Sequence, residues 1–110
     1  ENIYPREIEE FLYTHPDIED AQVIGVPDEK YGEELCAWIR MRPGRDALDA
    51  AALREFADGK LAHYKIPRYV HVVDEFPMTV TGKVMRRVLR KLAATDAAPS
   101  NDTPLPEPAA

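Results

Sequence analysis

Residues 18–41 read IEDAQVIGVPDEKYGEELCAWIRM, and this stretch decides the fold class. Residues 18–26 are rich in β-branched side chains, which favour a strand. Residues 35–41 show the two-residue alternation of a second strand. Because the connection of residues 27–34 is short, we predict that the two strands pair as an antiparallel hairpin. The second strand places Leu35, Ala37, Ile39 and Met41 on one face and Cys36, Trp38 and Arg40 on the other.

Helices are predicted before and after this hairpin. The first lies within residues 1–14, because Pro5 suits a first helical turn, where a missing N–H costs nothing, and Pro16 ends the helix. The second begins after Asp49, a favoured N-cap residue, and runs to residue 61 or 62. Its buried stripe is formed by Ala52, Leu53, Phe56 and Ala57.

A third strand and a third helix complete the predicted core. Pro67 precedes the strand, residues 68–74, and the helix follows a loop at residues 77–84. The sum is an α+β domain, with a small three-stranded sheet that contains the antiparallel hairpin and is flanked by about three helices. Residues 94–110 are rich in alanine and proline with almost nothing to bury, so we predict a disordered tail. The last helix has apolar residues at Met85, Val88, Leu89 and Leu92 and basic ones at Arg86, Arg87, Arg90 and Lys91.

Composition argues against several classes of function. The net charge of −6 argues against general affinity for nucleic acid or anionic membranes. No apolar run approaches the roughly 18 residues of a membrane span, and the single Cys36 excludes an internal disulfide. We expect an inert thiol there and a cytoplasmic location. The chain opens on Glu1 without a signal-peptide pattern or an initiator methionine, so we expect part of a longer protein.

The other candidate catalytic and metal-binding groups form no recognised pattern. The three histidines lack metal-ligand spacing among themselves or with the cysteine, so structural roles are favoured and no metal site is predicted. Carboxylates near the hairpin turn could suggest acid–base chemistry, but a solvated loop explains them more simply. By itself, the chain holds no complete active site. The histidines are His15, His63 and His71, and the carboxylates are Asp28, Glu29, Glu33 and Glu34.

One stretch does carry a distinctive pattern. Residues 77–87 read PMTVTGKVMRR, a short loop that carries a lysine beside a glycine ahead of the basic helix. A phosphate-binding P-loop would need a glycine five residues before the Gly-Lys pair and a serine or threonine after the lysine. Pro77 and Val84 occupy those positions, so the stretch is not a P-loop. The simplest alternative is a surface lysine on a loop.

The order Pro, four residues, Gly-Lys, two residues, Arg resembles the C-terminal signature of the adenylate-forming enzymes: acyl-CoA synthetases, peptide-synthetase adenylation domains and luciferase. Three further segments match this AMP-dependent synthetase/ligase family in the same order. Residues 1–9 resemble the segment after the interdomain hinge, residues 25–34 a hairpin loop, and residues 64–68 a Tyr-Lys-x-Pro-Arg element. The likeness covers roughly residues 1–93, and it implies a mobile C-terminal lid domain whose large N-terminal ATP- and acyl-binding domain is absent.

Within that family the chain is most similar to medium-chain and broader fatty-acid CoA ligases. Peptide-synthetase domains usually carry an aspartate two residues after the lysine, where this chain has Met85. The resemblance thus implies part of an ATP-dependent acid–thiol ligase, with the isolated chain inactive. Two alternatives are an adenylation domain that loads a carrier protein and a stand-alone module that binds CoA or a partner.

The resemblance also implies roles for particular residues. Lys83 would contact the substrate carboxylate and the α-phosphate of ATP, while Thr81 and Gly82 let its loop bend tightly. The ATP and Mg²⁺ would be bound by the N-terminal domain. After rotation of the lid, a second face would line the CoA tunnel, although Tyr31 stands where related enzymes have an arginine. The residues implied in CoA binding are Asn2, Lys30, Tyr31, Lys60 and Lys65.

Overall fold

The computed structural model describes residues 5–28, 30 and 32–95. Within them, helices and strands follow each other in a mixed order, as the sequence predicts for an α+β domain. The elements are α1 (Pro5–Leu12), β1 (Ile18–Asp28), β2 (Gly32–Met41), α2 (Ala50–Ala57), a 3-10 turn (His63–Lys65), β3 (Tyr69–Val72) and α3 (Arg86–Thr95).

The sheet has the order β1-β2-β3, so β2 is its central strand. β1 and β2 are antiparallel, with Val23 opposite Ala37, which confirms the predicted hairpin. β2 and β3 are parallel, with Ala37 also opposite Val70. A parallel partner cannot be reached by a tight turn, and α2 supplies the crossover. The α+β class with a small three-stranded sheet and three helices is therefore confirmed for the described residues.

Both faces of the sheet are covered, which makes three layers. Side chains of α1 and α2, such as Leu12 and Leu53, pack with the face of β2 that carries Ala37 and Ile39. Leu89 of α3 packs on the opposite face. The alternation seen in residues 35–41 predicts this division, because successive strand residues point to opposite faces. The second face also buries Ile24, Val26, Cys36, Trp38, Tyr69, Phe76 and Ala93.

Several boundaries differ from the predicted ones. α2 ends at Ala57 rather than at residue 61 or 62, because Gly59 adopts φ +78° and a left-handed residue ends a helix. β2 begins at Gly32, so it is longer than predicted. β3 spans only four residues, so it is shorter than predicted. α3 continues through residue 95, two residues into the predicted tail. Residues 96–110 lie outside the described residues.

The N-cap of α2 gives a stability test. The Asp49 side chain accepts a hydrogen bond from the Ala52 N–H at 2.7 Å, as predicted for an N-cap. We expect Asp49→Ala to lower the free energy of unfolding of the chain by about 1 kcal/mol, because it leaves that N–H without its acceptor. Urea denaturation followed by circular dichroism measures the change. The control is Asp46→Ala, at an exposed position before the helix, and an equal loss in both variants would contradict the cap.

Candidate functional site

The lysine singled out by its sequence pattern lies on a small closed β-hairpin, residues 77–85, called here the lysine hairpin. Met78 and Val84 form an antiparallel bridge across it. Below that bridge, the Met85 N–H donates to the Pro77 carbonyl at 2.8 Å. The loop is therefore a hydrogen-bonded element with a defined base.

The apex of the lysine hairpin is held by one threonine. The Thr79 N–H donates to the Lys83 carbonyl at 2.8 Å, and its carbonyl accepts from the Gly82 N–H at 3.0 Å. The Thr79 hydroxyl also accepts from the Lys83 N–H at 3.0 Å and lies 3.0 Å from the Thr81 hydroxyl. Gly82 closes the turn at φ +88°, a backbone conformation that residues other than glycine rarely adopt. Sequence reasoning named Thr81 and Gly82 but missed Thr79, whose signal is a threonine at the first position of the turn.

Above this ordered base, the side chains of the tip point into solvent. Val80 is fully exposed, and Lys83 is exposed as well. Within the part of the chain that the structure describes, the Lys83 ammonium has no hydrogen-bond or ion-pair partner. The hairpin therefore combines a fixed backbone with an uncompensated positive charge.

Arg86, three residues after the lysine, ties the hairpin to the rest of the domain. Its Nη1 donates to Glu9 Oε2 at 3.1 Å and to Gln22 Oε1 at 2.7 Å, and its Nη2 donates to the Val23 carbonyl. Glu9 Oε2 in turn accepts from the Val23 N–H at 2.8 Å. The first residue of α3 is thus bonded to both α1 and β1. This set (Arg86, Glu9, Gln22 and Val23) is called here the arginine clamp.

The arginine clamp is part of a longer row of side chains along the open edge of β1. Arg90 Nε donates to the Gly25 carbonyl at 3.2 Å. At the other end, the Tyr13 hydroxyl donates to Asp20 Oδ1 and accepts from the Ala21 N–H at 3.4 Å. Partial burial raises the pKa of Tyr13 above its usual 10.0, and the hydrogen bond to Asp20 is a second, smaller cause of this increase. These side chains satisfy backbone groups that an edge strand leaves unpaired, so α1 and α3 are held against β1 by polar as well as apolar contacts.

The residues implied in CoA binding are only partly described. Asn2 and Tyr31 lie outside the described residues. Lys30 is exposed in the connection between β1 and β2. The Lys60 ammonium lies over the Phe56 ring at 5.6 Å from its centroid, and the Lys65 ammonium lies 2.9 Å from a Glu7 carboxylate oxygen. The three described lysines therefore lie in three separate segments of the chain.

A cleft of about 390 Å³ adjoins the segment that contains Lys65. It opens between α2, the 3-10 turn and the beginnings of β2 and β3, and it combines cations with the Tyr64 ring, which is 53% exposed. Sequence reasoning noticed residues 64–68 as a motif but assigned no role to Tyr64 or Arg68. The cleft itself was not predictable, because Arg54 reaches it from another helix. Its lining residues include Arg54, His63, Tyr64 and Arg68, together with the carboxylates Glu33 and Glu34.

Two of the histidines have structural contacts. His15 Nδ1 accepts from the Asp17 N–H at 3.1 Å, and the His71 ring is buried 5.0 Å from that of Trp38. The described residues contain no group of three or more His, Cys, Asp or Glu side chains that could hold a metal ion. None of the described helices is both long enough and apolar enough to cross a membrane. Cys36 is buried, as predicted.

These observations define a class of domain: a three-layer α+β domain that carries, on an anchored hairpin, an exposed lysine with no ion-pair partner among the described residues. Residues 7–83 match the family described as AMP-binding enzyme C-terminal domain, and Lys83 is the last residue of the match. The chain therefore belongs to this family of adenylate-forming enzymes, as its motifs predict.

Known relatives agree with this assignment. Over 91 residues (83% of the chain), it is 53% identical to a Bacillus subtilis (strain 168) protein that carries the provisional name acyl-CoA synthetase YngI. Over the same length it is 50% identical to the medium-chain acyl-CoA ligase ACSF2, mitochondrial, of Danio rerio. ATP-bound MatB from Rhodopseudomonas palustris superposes on 89% of the chain with a TM-score of 0.81 and 34% identity. The chain spans only 16% and 15% of the two curated relatives, and 19% of MatB.

The glycine at the apex gives a test of hairpin order. We expect Gly82→Ala to destabilise the turn by about 1–2 kcal/mol, since a Cβ disfavours the left-handed conformation and no atom within 4 Å adds a steric contribution. Amide hydrogen exchange at Thr79, whose N–H bonds to Lys83, should become about five- to thirtyfold faster. Gly82→Asn is the matched control, because asparagine tolerates this conformation better. Equal exchange in all three proteins would contradict the role of Gly82.

Proposed function

We propose that this chain is the mobile C-terminal domain of an ATP-dependent acyl-CoA ligase for medium-chain fatty acids, and that Lys83 is its adenylation lysine. The observation that carries the proposal is the exposed Lys83 ammonium on an anchored hairpin, which has no partner in the described part of the chain. Support for the reaction comes from the family to which the chain belongs, and support for the acyl length from the name of the Danio rerio relative. The parent protein's own large domain would be its partner.

The chemistry explains why a lysine suits this position. In the first half-reaction a carboxylate oxygen attacks the α-phosphorus of ATP, a new P–O bond forms, and the bond to pyrophosphate breaks. Negative charge increases on the oxygens around phosphorus in the transition state, where a positioned cation stabilises it. Lysine carries a compact charge on a long stem, so it can act inside a cleft of another domain. Among the described residues, Lys83 has no ion-pair partner from which it must separate first.

The remaining ATP contacts belong to the large domain in this proposal. Among the described residues there is no cluster of carboxylates or histidines suited to a cation. Mg²⁺, when bound in the parent enzyme, would neutralise phosphate charge. The cytoplasmic location predicted from the single cysteine stays a prediction, and the Danio rerio relative is named as mitochondrial.

In the second half-reaction, the CoA thiol attacks the acyl carbonyl carbon of the adenylate, a thioester forms, and AMP leaves. We assign CoA to a different face of the lid, which rotation would bring to the large domain. The cleft beside the 3-10 turn suits a nucleotide, because the exposed Tyr64 ring offers a stacking surface and Arg54 and Arg68 offer charge to phosphates. Lys65 and Lys60 lie on the segments flanking this cleft, whereas Lys30, Asn2 and Tyr31 stay assigned by resemblance alone.

The role of Lys83 is tested in the full-length parent protein by measuring the half-reactions separately. We expect Lys83→Ala to lower ATP–pyrophosphate exchange about 100- to 1000-fold, the cost of removing a preorganised group that stabilises transition-state charge. Thioester formation from preformed acyl-adenylate should stay within about threefold, since Lys83 would have left the site. The control is Lys91→Ala, an exposed lysine of α3. Unchanged exchange in Lys83→Ala would refute the assignment.

The CoA face is tested by Lys65→Gln, again in the parent protein. Losing one charged contact to a phosphate should raise the KM for CoA about tenfold in thioester formation and leave pyrophosphate exchange unchanged. The ion pair with Glu7 is partly exposed, so its loss should have little effect on stability. Lys91→Gln serves as the matched control. A KM for CoA equal to that of the wild type would remove Lys65 from the site.

A further inference from the structure

We propose that Arg86 is a positioning residue for Lys83, and that the arginine clamp sets the direction in which the lysine hairpin leaves the domain. This inference rests on the proposed function of Lys83 and deepens it, by assigning a role to a residue that would contact neither substrate. Arg86 lies three residues after Lys83, directly after the base of the hairpin, where Met85 bonds to Pro77.

Both ends of the hairpin are fixed, but by different forces. Phe76, just before the hairpin, is buried in the apolar cluster beneath α3. Arg86, just after it, is held by three acceptors on α1 and β1. An apolar contact is not directional, whereas hydrogen bonds constrain orientation. The arginine end therefore has the larger effect on where the tip points.

The acceptors of the clamp are themselves fixed. Glu9 is 16% exposed, and the same carboxylate oxygen that binds Arg86 also accepts the Val23 N–H. Val23 lies in β1, paired with Ala37 of the central strand. The Arg86 side chain is 39% exposed, so the pair is partly removed from water. A planar guanidinium can reach carboxylate, amide and carbonyl oxygens at once, which a lysine ammonium on a flexible stem cannot do with the same geometry.

The next residue provides a natural control. Arg87 has the same side chain, follows Arg86 in the same helix, and is exposed. If only the charge of the basic helix mattered, the two arginines would be equivalent. The clamp distinguishes the two arginines. In the described part of the chain, it is Arg86 whose guanidinium donates to Glu9, Gln22 and Val23.

The experiment uses the full-length parent protein with both half-reactions measured. Arg86→Gln should lower the kcat of pyrophosphate exchange about 10- to 100-fold, because a displacement of about 1 Å at a reacting group costs up to about 100-fold. Thioester formation from preformed acyl-adenylate should change by less than about threefold, and Arg87→Gln should leave both reactions unchanged. Parallel loss of the two half-reactions in Arg86→Gln would overturn the proposal in favour of general damage to the domain.

A double-variant cycle separates positioning from a merely structural role. If Arg86 acts through Lys83, adding Arg86→Gln to Lys83→Ala should lower the residual exchange by less than about threefold, since the group being positioned is gone. If the two losses multiply instead, Arg86 acts independently of Lys83 and the proposal fails. Should Arg86→Gln not fold, Arg86→Lys replaces it. That variant keeps the charge without the planar fork, so full exchange activity would likewise overturn the inference.

Failure of this inference can be told apart from failure of the proposed function. If Lys83→Ala leaves exchange intact, the assignment of Lys83 is wrong and so is that of Arg86. If Lys83→Ala abolishes exchange while folded Arg86→Gln retains it, the proposed function stands and the arginine clamp has no positioning role. Loss of exchange in both single variants, without multiplication in the double variant, supports both.

Discussion

The central strand must bury both of its faces, and the rest of the domain depends on that constraint. β2 carries Ala37 and Ile39 on one face and Cys36 and Trp38 on the other, and all four are buried. A strand of this kind needs cover on both sides to gain its hydrophobic stabilisation. α1 and α2 supply one cover and α3 the other. The chain must therefore cross from β3 to α3 on the second side, and the lysine hairpin is that connection.

The edge of β1 links this architecture to the site. An open edge exposes backbone groups that invite pairing with another chain, and here side chains of both flanking layers occupy it. Glu9 comes from one layer and Arg86 from the other, and they meet at Val23. The contacts that close the edge also hold the start of α3. Protection of the sheet and orientation of the hairpin thus depend on the same few hydrogen bonds.

Local sequence rules predicted much of this molecule. The hairpin of β1 and β2, the alternation of its faces, the Asp49 cap and the burial of Cys36 are all confirmed. Each depends on side-chain periodicity, on neighbouring residues or on a short connection. The end of α2 was misjudged, because the apolar pattern outlasts the helix and the conformation of Gly59 overrides it. The cleft near Tyr64 was missed, because its lining comes from three stretches of the chain that lie far apart in sequence.

The amino-acid sequence by itself determined the elements, the faces of the strands and the motif that puts Lys83 beside Gly82, since these follow from spacing over a few residues. Only the tertiary structure decided that β3 lies parallel to β2, and that Arg86 finds its partners on the edge of β1. Glu9 lies 77 residues before Arg86, and Gln22 lies 64 residues before it. No local spacing encodes such a pairing. It arises when burial of both sheet faces brings α1 and α3 to the same edge, where each partner satisfies the other's charge.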